Sequence, residues 1–129
     1  MKKAAVIEGG YSKEKAISIK SAKTVFDNLD RTKFIPTRVL IDENEWTAYD
    51  EEGRYSIDKN DFSYTKNGSK HNFEHAFIVI HGTPGEDGKL QGYLDMAGIT
   101  YNTSSAAITA LTFQKFHCNQ FLKNFGINV

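Results

Sequence analysis

Short apolar runs alternate along the chain with segments that have helical spacing. The runs at residues 4–7 and 76–80 contain no polar residue, which is typical of strands buried on both faces of a sheet. A further strand is predicted over residues 34–41, where Pro36 favours an edge strand or an early position in the strand. A short strand is predicted around residues 99–101.

Segments with one apolar helical face follow these strands. The first begins after Ser12, a candidate N-cap, and its apolar positions are Ala16, Ile19, Ala22, Val25, Phe26 and Leu29. The second has Gly98 placed for a C-cap, and its apolar positions are Leu90, Tyr93, Leu94 and Ala97. Two more helices are predicted over residues 106–113, after Ser104 or Ser105 as cap, and over residues 115–124.

Strands that alternate with helices predict βαβ units and the α/β fold class. We expect a Rossmann-like, three-layer α/β/α arrangement with a mostly parallel sheet and helices on both faces. Residues 42–75 differ from this pattern, because they are polar with scattered aromatic residues and contain the turn pairs Glu52-Gly53 and Asn67-Gly68. They predict a hairpin or a small excursion.

Composition narrows the classes of function. The chain has 129 residues, 40% hydrophobic and 25% charged, which is ordinary for one globular domain. Lys plus Arg and Asp plus Glu both number 16, so no net charge favours nucleic acid or an anionic membrane surface. No apolar stretch is long enough for a membrane span. The single cysteine, Cys118, is expected to be a small buried residue of a cytoplasmic protein, and no metal-ligand spacing is present.

Two glycine-rich loops are predicted at the carboxyl edge of the sheet, where α/β proteins bind ligands. The first, Gly9-Gly10-Tyr11-Ser12, is either a tight turn with a serine cap or a backbone that approaches an anion. Glu14 follows in the first turn of the helix, where a carboxylate either interacts with the helix dipole or receives a substrate ammonium. The local sequence does not decide between these alternatives.

The second loop, residues 81–88, reads HGTPGEDG. A lone histidine after a strand is usually structural, but His81 is followed by two carboxylates on a turn rich in glycine. Glu86 is placed to accept a hydrogen bond from the imidazole and fix its tautomer, whereas Asp87 is placed to cap the next helix. Backbone angles that other residues avoid are expected at Gly82, Gly85 and Gly88. His81 and Glu86 are therefore candidate functional residues.

Three segments resemble the D-alanine–D-alanine ligase family. HGTPGEDGKLQG, residues 81–92, matches in full that family's pattern H-G-x-x-G-E-D-G-x-[LIVMA]-[QSA]-[GSA]. EGGYSKEKAISIKSA, which begins at Glu8, is similar to the family's first motif, G-G-x-S-x-E-H-x-V-S. YNTSSAAITALTFQK, residues 101–115, is similar to the segment that begins Y-x-G, ends D-K and enters the family's central domain. The three segments occur in the family's order, and the pattern at His81 is the most specific.

The resemblance implies an ATP-dependent ligase that joins two D-alanines for peptidoglycan through an acyl phosphate. Glu14 would bind the ammonium of the first D-alanine, and His81 would contact the same substrate with support from Glu86. Lys115 would reach the ATP phosphates. For the complete enzyme the resemblance implies ATP with Mg²⁺ or Mn²⁺ as cofactors, D-alanine as substrate partner and a homodimer in the cytoplasm, without nucleic acid or membrane.

The chain also departs from the family. Lys15 replaces the histidine of the first motif, Thr103 a glycine and Gln114 the aspartate of the D-K pair. Family members are about twice a single-domain length or more. We therefore expect residues 1–112 to be the N-terminal domain and residues 113–129 to begin the ATP-grasp region of a fragment that is inactive and binds no cofactor by itself. The alternatives are a stand-alone small-ligand binding module and a homodimerising interaction module of the same fold.

Overall fold

The computed structural model of the chain describes residues 1–113 and 115–127, with the backbone alone at 113, 115–118 and 121. Predictions about Gln114 and about the side chains of Lys115 and Cys118 lie outside the described part. Within that part the elements, in chain order, are β1 (Lys2–Gly9), α1 (Lys15–Asn28), β2 (Phe34–Ile41), β3 (Trp46–Tyr49), β4 (Arg54–Ser56), β5 (Tyr64–Lys66), β6 (Ser69–His71), β7 (His75–Ile78), α2 (Lys89–Ala97), β8 (Thr100–Tyr101), α3 (Ala106–Phe113) and α4 (Lys115–Asn124).

The main sheet has six strands in the order β4-β3-β2-β1-β7-β8. β1 lies in the middle, and both of its neighbours run parallel to it: Ala5 is in register with Thr37 on β2 and with Ala76 on β7. β8 continues the parallel part beyond β7. The carboxyl ends of β1 and β7 therefore lie side by side at one edge of the sheet.

Successive residues of β1 point to opposite faces of the sheet, and both faces are covered. On one face Ala4, Val6 and Glu8 lie under α1, which buries Ser18 and Ala22. The predicted apolar face of this helix is confirmed except at Ala16, which is exposed; Ser18 occupies the buried position because its hydroxyl binds the ends of two strands.

The other face of the sheet carries the main hydrophobic core. Ala5 and Ile7 of β1 belong to the same buried cluster as Leu90 and Leu94 of α2. Aromatic rings between α2 and the sheet complete this cluster: Trp46 packs edge-on against Phe62 and Tyr93. Helices thus lie on both faces, which confirms the predicted three-layer α/β architecture with a mostly parallel sheet.

Residues 42–75 form two hairpins. β3 pairs antiparallel with β2 and β4 pairs antiparallel with β3, so this hairpin extends the main sheet, whereas β5 pairs with β6 in a separate two-stranded sheet. The turn pair Asn67-Gly68 is confirmed, since both residues adopt the positive φ angles, 51° and 78°, that a tight hairpin turn requires. β2 is an internal strand, and Pro36 is tolerated at an early position because β3 pairs only from Arg38 onward.

The predicted boundaries hold closely in the second half of the chain. β7 begins one residue earlier and ends two residues earlier than the apolar run at 76–80. Gly98 is the C-cap of α2 in the left-handed conformation, and the Ser105 hydroxyl accepts a hydrogen bond from the N–H of Ile108. None of the helices described here has the length and apolarity to cross a membrane.

Candidate functional site

The loop after β1 passes close to two neighbouring strands. Gly10 has φ +95°, and a Cβ atom there would lie 2.6 Å from the Cγ2 atom of Ile80, so only glycine fits. The hydroxyl of Ser18 accepts a hydrogen bond from the N–H of Gly9 at 2.9 Å and donates to the carbonyl of Val79 in a short bond. One buried serine of α1 thus joins the carboxyl ends of β1 and β7.

Glu14 is the N-cap residue of α1 and makes no side-chain cap. The prediction of Ser12 as N-cap is therefore wrong, although its hydroxyl accepts a hydrogen bond from the N–H of Glu14 at 3.2 Å. The Glu14 carboxylate is exposed and has no hydrogen-bond or ion-pair partner among the side chains that the structure describes. The next residue, Lys15, is anchored by an ion pair of 2.8 Å with Asp42, which follows β2.

The loop at residues 81–88 folds on itself before α2. The N–H groups of Gly85 and Glu86 both donate to the carbonyl of Gly82, at 3.0 and 2.8 Å. The buried side chain of Gln91 on α2 donates from Nε2 to the carbonyl of Gly85 at 2.7 Å and to the Thr103 hydroxyl at 3.0 Å. The loop is thus tied to α2 and to the segment after β8.

The two glycine-rich loops touch each other. The Ser12 hydroxyl donates to the carbonyl of His81 at 2.8 Å, and the N–H of Tyr11 donates to the carbonyl of Thr83 at 2.9 Å. The sequence-based expectation that both loops lie at one edge of the sheet is therefore met. Glu14 and His81 lie on loops that are in direct contact, although they are far apart in the chain.

His81 and Glu86 lie on the outer side of this junction. The Nδ1 atom of His81 is 3.9 Å from the Oε1 atom of Glu86, a long ion-pair distance and not a hydrogen bond. The side chains are 42% and 52% exposed, so both face solvent. The hydrogen bond predicted from the imidazole to Glu86 is therefore not formed, although the two side chains are neighbours.

Asp87 has the structural position expected of it, with a shift of one residue. Gly88, with φ +87°, is the N-cap residue of α2, and the Asp87 carboxylate accepts a hydrogen bond from the N–H of Lys89 at 3.2 Å. Thr83 donates a short hydrogen bond to the same carboxylate. Positive φ angles occur at Gly82 and Gly88 but not at Gly85, where close packing against Ile80 excludes a side chain instead.

Sequence reasoning missed a buried charged cluster on the α1 face of the sheet. Glu8 is 1% exposed, and its carboxylate accepts hydrogen bonds from Nε and Nη2 of Arg38 at 3.0 and 2.6 Å and a short one from the Tyr49 hydroxyl. Arg38 also donates to the carbonyl of Ile19 on α1 at 3.0 Å. Burial, followed by the bond to Glu8, raises the pKa of Tyr49 well above its usual value. The signal in the sequence was a glutamate at the end of an otherwise apolar strand.

A site for a metal ion is not formed by the described residues: no three His, Cys, Asp or Glu side chains come together there. The expected phosphate ligand, Lys115, has no described side chain. This part of the chain therefore offers Glu14, His81 and Glu86 as candidate ligand-binding groups, in a junction that is held by Ser12 and Ser18.

Comparison with known proteins identifies the family of the chain. Residues 3–104 match a family model described as D-ala D-ala ligase N-terminus. A D-alanine–D-alanine ligase from Porphyromonas gingivalis is 48% identical over 97% of this chain, and one from Azobacteroides pseudotrichonymphae is 45% identical over 98%. The crystal structure of a D-Ala:D-Ser ligase from Enterococcus faecalis superposes with a TM-score of 0.85 at 28% identity, covering 99% of this chain and 43% of that chain.

The chain spans only 38% and 40% of the length of the two bacterial relatives. The match nevertheless includes both glycine-rich loops and every strand of the main sheet, since it runs from β1 through β8. The chain belongs to the D-alanine–D-alanine ligase family, in the part that forms the N-terminus of these enzymes.

Proposed function

We propose that this chain is the substrate-binding N-terminal part of an ATP-dependent ligase that joins two D-alanines into a dipeptide for peptidoglycan. The observation that carries the proposal is the contact between the two loops at the carboxyl ends of β1 and β7. It brings Glu14, an exposed carboxylate without a partner among the described side chains, to the same sheet edge as His81. The family membership of the chain supports the same reaction.

Glu14 is the proposed ligand of the ammonium group of the first D-alanine. An ammonium needs a counter-charge that is not already paired, and the described side chains leave the Glu14 carboxylate available. His81 contacts the same substrate, and Glu86, 3.9 Å from its ring, orients the imidazole. Asp87 takes no part in binding, because its carboxylate is occupied by Thr83 and by the backbone of Lys89.

ATP supplies the phosphoryl group that activates the carboxylate of the first D-alanine. The described residues do not fit a magnesium site, so Mg²⁺ or Mn²⁺ and most of the ATP contacts belong to residues outside them. Lys115 is the proposed phosphate ligand of this chain, and we place the start of the ATP-grasp region at residue 113. We propose that the complete enzyme is a cytoplasmic homodimer that acts on free D-alanine, without nucleic acid or membrane.

A chimera tests this function. Residues 1–127 of this chain replace the matching N-terminal part of the Porphyromonas gingivalis relative, and phosphate release and dipeptide formation are measured with D-alanine and ATP. We expect D-alanine-dependent activity from the chimera and none from the 129-residue chain alone, since the described residues lack a metal site. A folded chimera without dipeptide formation would contradict the proposed function, and so would ligase activity of the isolated chain.

A further inference from the structure

We propose that Ser12 is a positioning residue of this site, whose hydroxyl fixes Glu14 relative to His81. The inference deepens the proposed function and rests on it, because it assigns to Ser12 the spacing of two side chains that are proposed to bind one amino acid. Ser12 itself touches no substrate in this proposal. It acts through the backbone of the residues on either side of the junction.

The hydroxyl of Ser12 makes one hydrogen bond to each loop. Its proton goes to the carbonyl of His81 at 2.8 Å, and its oxygen accepts the N–H of Glu14 at 3.2 Å. A single oxygen atom therefore links the backbones of the two candidate substrate ligands. Any shift of one loop is transmitted to the other through that oxygen.

The opposite loop leaves space for this hydroxyl. Gly82 follows His81 with φ +80°, and a Cβ atom there would lie 3.0 Å from the Cβ atom and 3.1 Å from the Oγ atom of Ser12. A side chain at residue 82 would push Ser12 away from the His81 carbonyl. The glycine of the His81 motif and the serine of the first motif thus form one packing unit.

The contact between the loops does not depend on this hydroxyl alone. The N–H of Tyr11 also donates to the carbonyl of Thr83, and Ser18 joins the ends of β1 and β7 beneath the loops. Removal of the Ser12 hydroxyl should therefore leave the fold intact and release the backbone of Glu14. An intact fold with a released Glu14 backbone distinguishes a positioning role of Ser12 from a purely structural one.

The first test is kinetic and uses the chimera with Ser12→Ala. We expect the KM for D-alanine to rise about 3- to 10-fold, the effect of one lost hydrogen bond, while the KM for ATP and the midpoint of thermal unfolding stay unchanged. Ser12→Thr keeps a hydroxyl and should restore most of the affinity. Ser69→Ala, in the exposed hairpin strand β6, is the matched control and should change neither constant.

The second test uses the 129-residue chain and does not need activity. Amide hydrogen exchange measured by NMR should be faster at Glu14 in Ser12→Ala than in the unmodified chain, with unchanged exchange in the strands of the main sheet. Unchanged exchange at Glu14 would overturn the proposal even if the chimera were inactive. A general loss of thermal stability in Ser12→Ala, with both KM values raised, would overturn it in favour of a structural role.

The outcomes also separate this inference from the proposed function. If Glu14→Gln raises the KM for D-alanine and Ser12→Ala does not, the positioning role is wrong and the substrate site stands. If Glu14→Gln has no effect on D-alanine, the proposed ammonium site is wrong, and the positioning role that rests on it falls as well.

Discussion

Glu8, near the end of β1, and Glu14, the N-cap residue of α1, are close in the chain, yet their carboxylates lie in opposite surroundings. Glu8 is 1% exposed and bonded to Arg38 and Tyr49, so its acceptor capacity is used inside the protein. Glu14 is exposed and has no side-chain partner in the described part of the chain. A paired, buried carboxylate contributes to the fold, whereas an unpaired one at a sheet edge is available to a ligand.

The largest expected effect is on stability and comes from changing Glu8, the buried carboxylate. Glu8→Gln should lower the free energy of unfolding by about 3–5 kcal/mol, because it leaves the guanidinium of Arg38 without its counter-charge in a largely buried place. Urea unfolding of the 129-residue chain measures the change. The exposed Glu51→Gln on the β3–β4 turn is the control, and it should stay within about 0.5 kcal/mol of the unmodified chain.

A second variant tests the reason for that loss. Arg38→Met added to Glu8→Gln removes the uncompensated charge and should recover part of the lost stability, since apolar replacement of a buried ion pair is often close to neutral. If Glu8→Gln alone lowers the free energy of unfolding by less than about 1 kcal/mol, the charge of Glu8 contributes little to the stability of this cluster.

The next largest effect is on substrate binding and comes from changing Glu14, the exposed carboxylate. In the chimera, Glu14→Gln should weaken the first D-alanine by about 1.5–3 kcal/mol, because a charged hydrogen bond to the ammonium is lost. ATP binding and the free energy of unfolding should not change. Steady-state kinetics at varied D-alanine and varied ATP measure the first two quantities, with Glu51→Gln again as control. If Glu14→Gln leaves KM and turnover for D-alanine unchanged, Glu14 does not bind this substrate.

The smallest expected effect is on the pH dependence of stability, and it concerns Tyr49, which binds Glu8. Burial and the bond to Glu8 raise the pKa of Tyr49, so the unfolded chain loses this phenolic proton at lower pH than the folded chain does. The stability from this group is therefore fully present below pH ~10, the pKa of tyrosine in an unfolded chain, and falls as the pH rises above it. Urea unfolding at pH 9 and pH 11 should show a weaker pH dependence in Tyr49→Phe.

Tyr55, Tyr93 and Tyr101 also have pKa values raised by burial, so the unmodified chain is the necessary reference for that experiment. The difference between the two proteins isolates Tyr49. Identical pH dependence of both proteins would mean that the Tyr49 phenol is not coupled to Glu8 in solution.

Local patterns were sufficient for most of the fold. The unbroken apolar runs placed β1 and β7, the helical spacing placed α1 and α2, and the pair Asn67-Gly68 placed a hairpin turn. These signals work because each depends on neighbours in the sequence. The prediction that both glycine-rich loops share one edge followed from the parallel direction of the strands alone.

Features that depend on distant residues were not predictable in the same way. Glu8 accepts hydrogen bonds from Arg38 on β2 and Tyr49 on β3. Nothing in the local sequence of these two strands indicates that either residue would bind Glu8. The position of β3 and β4 in the main sheet was equally hidden, because a polar hairpin signal does not say which strand the hairpin joins. The roles of Glu14, His81, Glu86 and Lys115 remain predictions, and Glu14→Gln tests the first of them.

The parallel pairing of β1 with β7 has a consequence for the order of events during synthesis. Ser12 and the carbonyl of His81 are separated by 69 positions, so the first loop leaves the ribosome well before its partner exists. At typical rates of about 5–20 residues per second, the first loop waits about 3–14 seconds for the second. β1 can pair with β2 during that interval, but the Glu14–His81 junction cannot form. The proposed substrate site can therefore assemble only after β1 has had time to pair with β2.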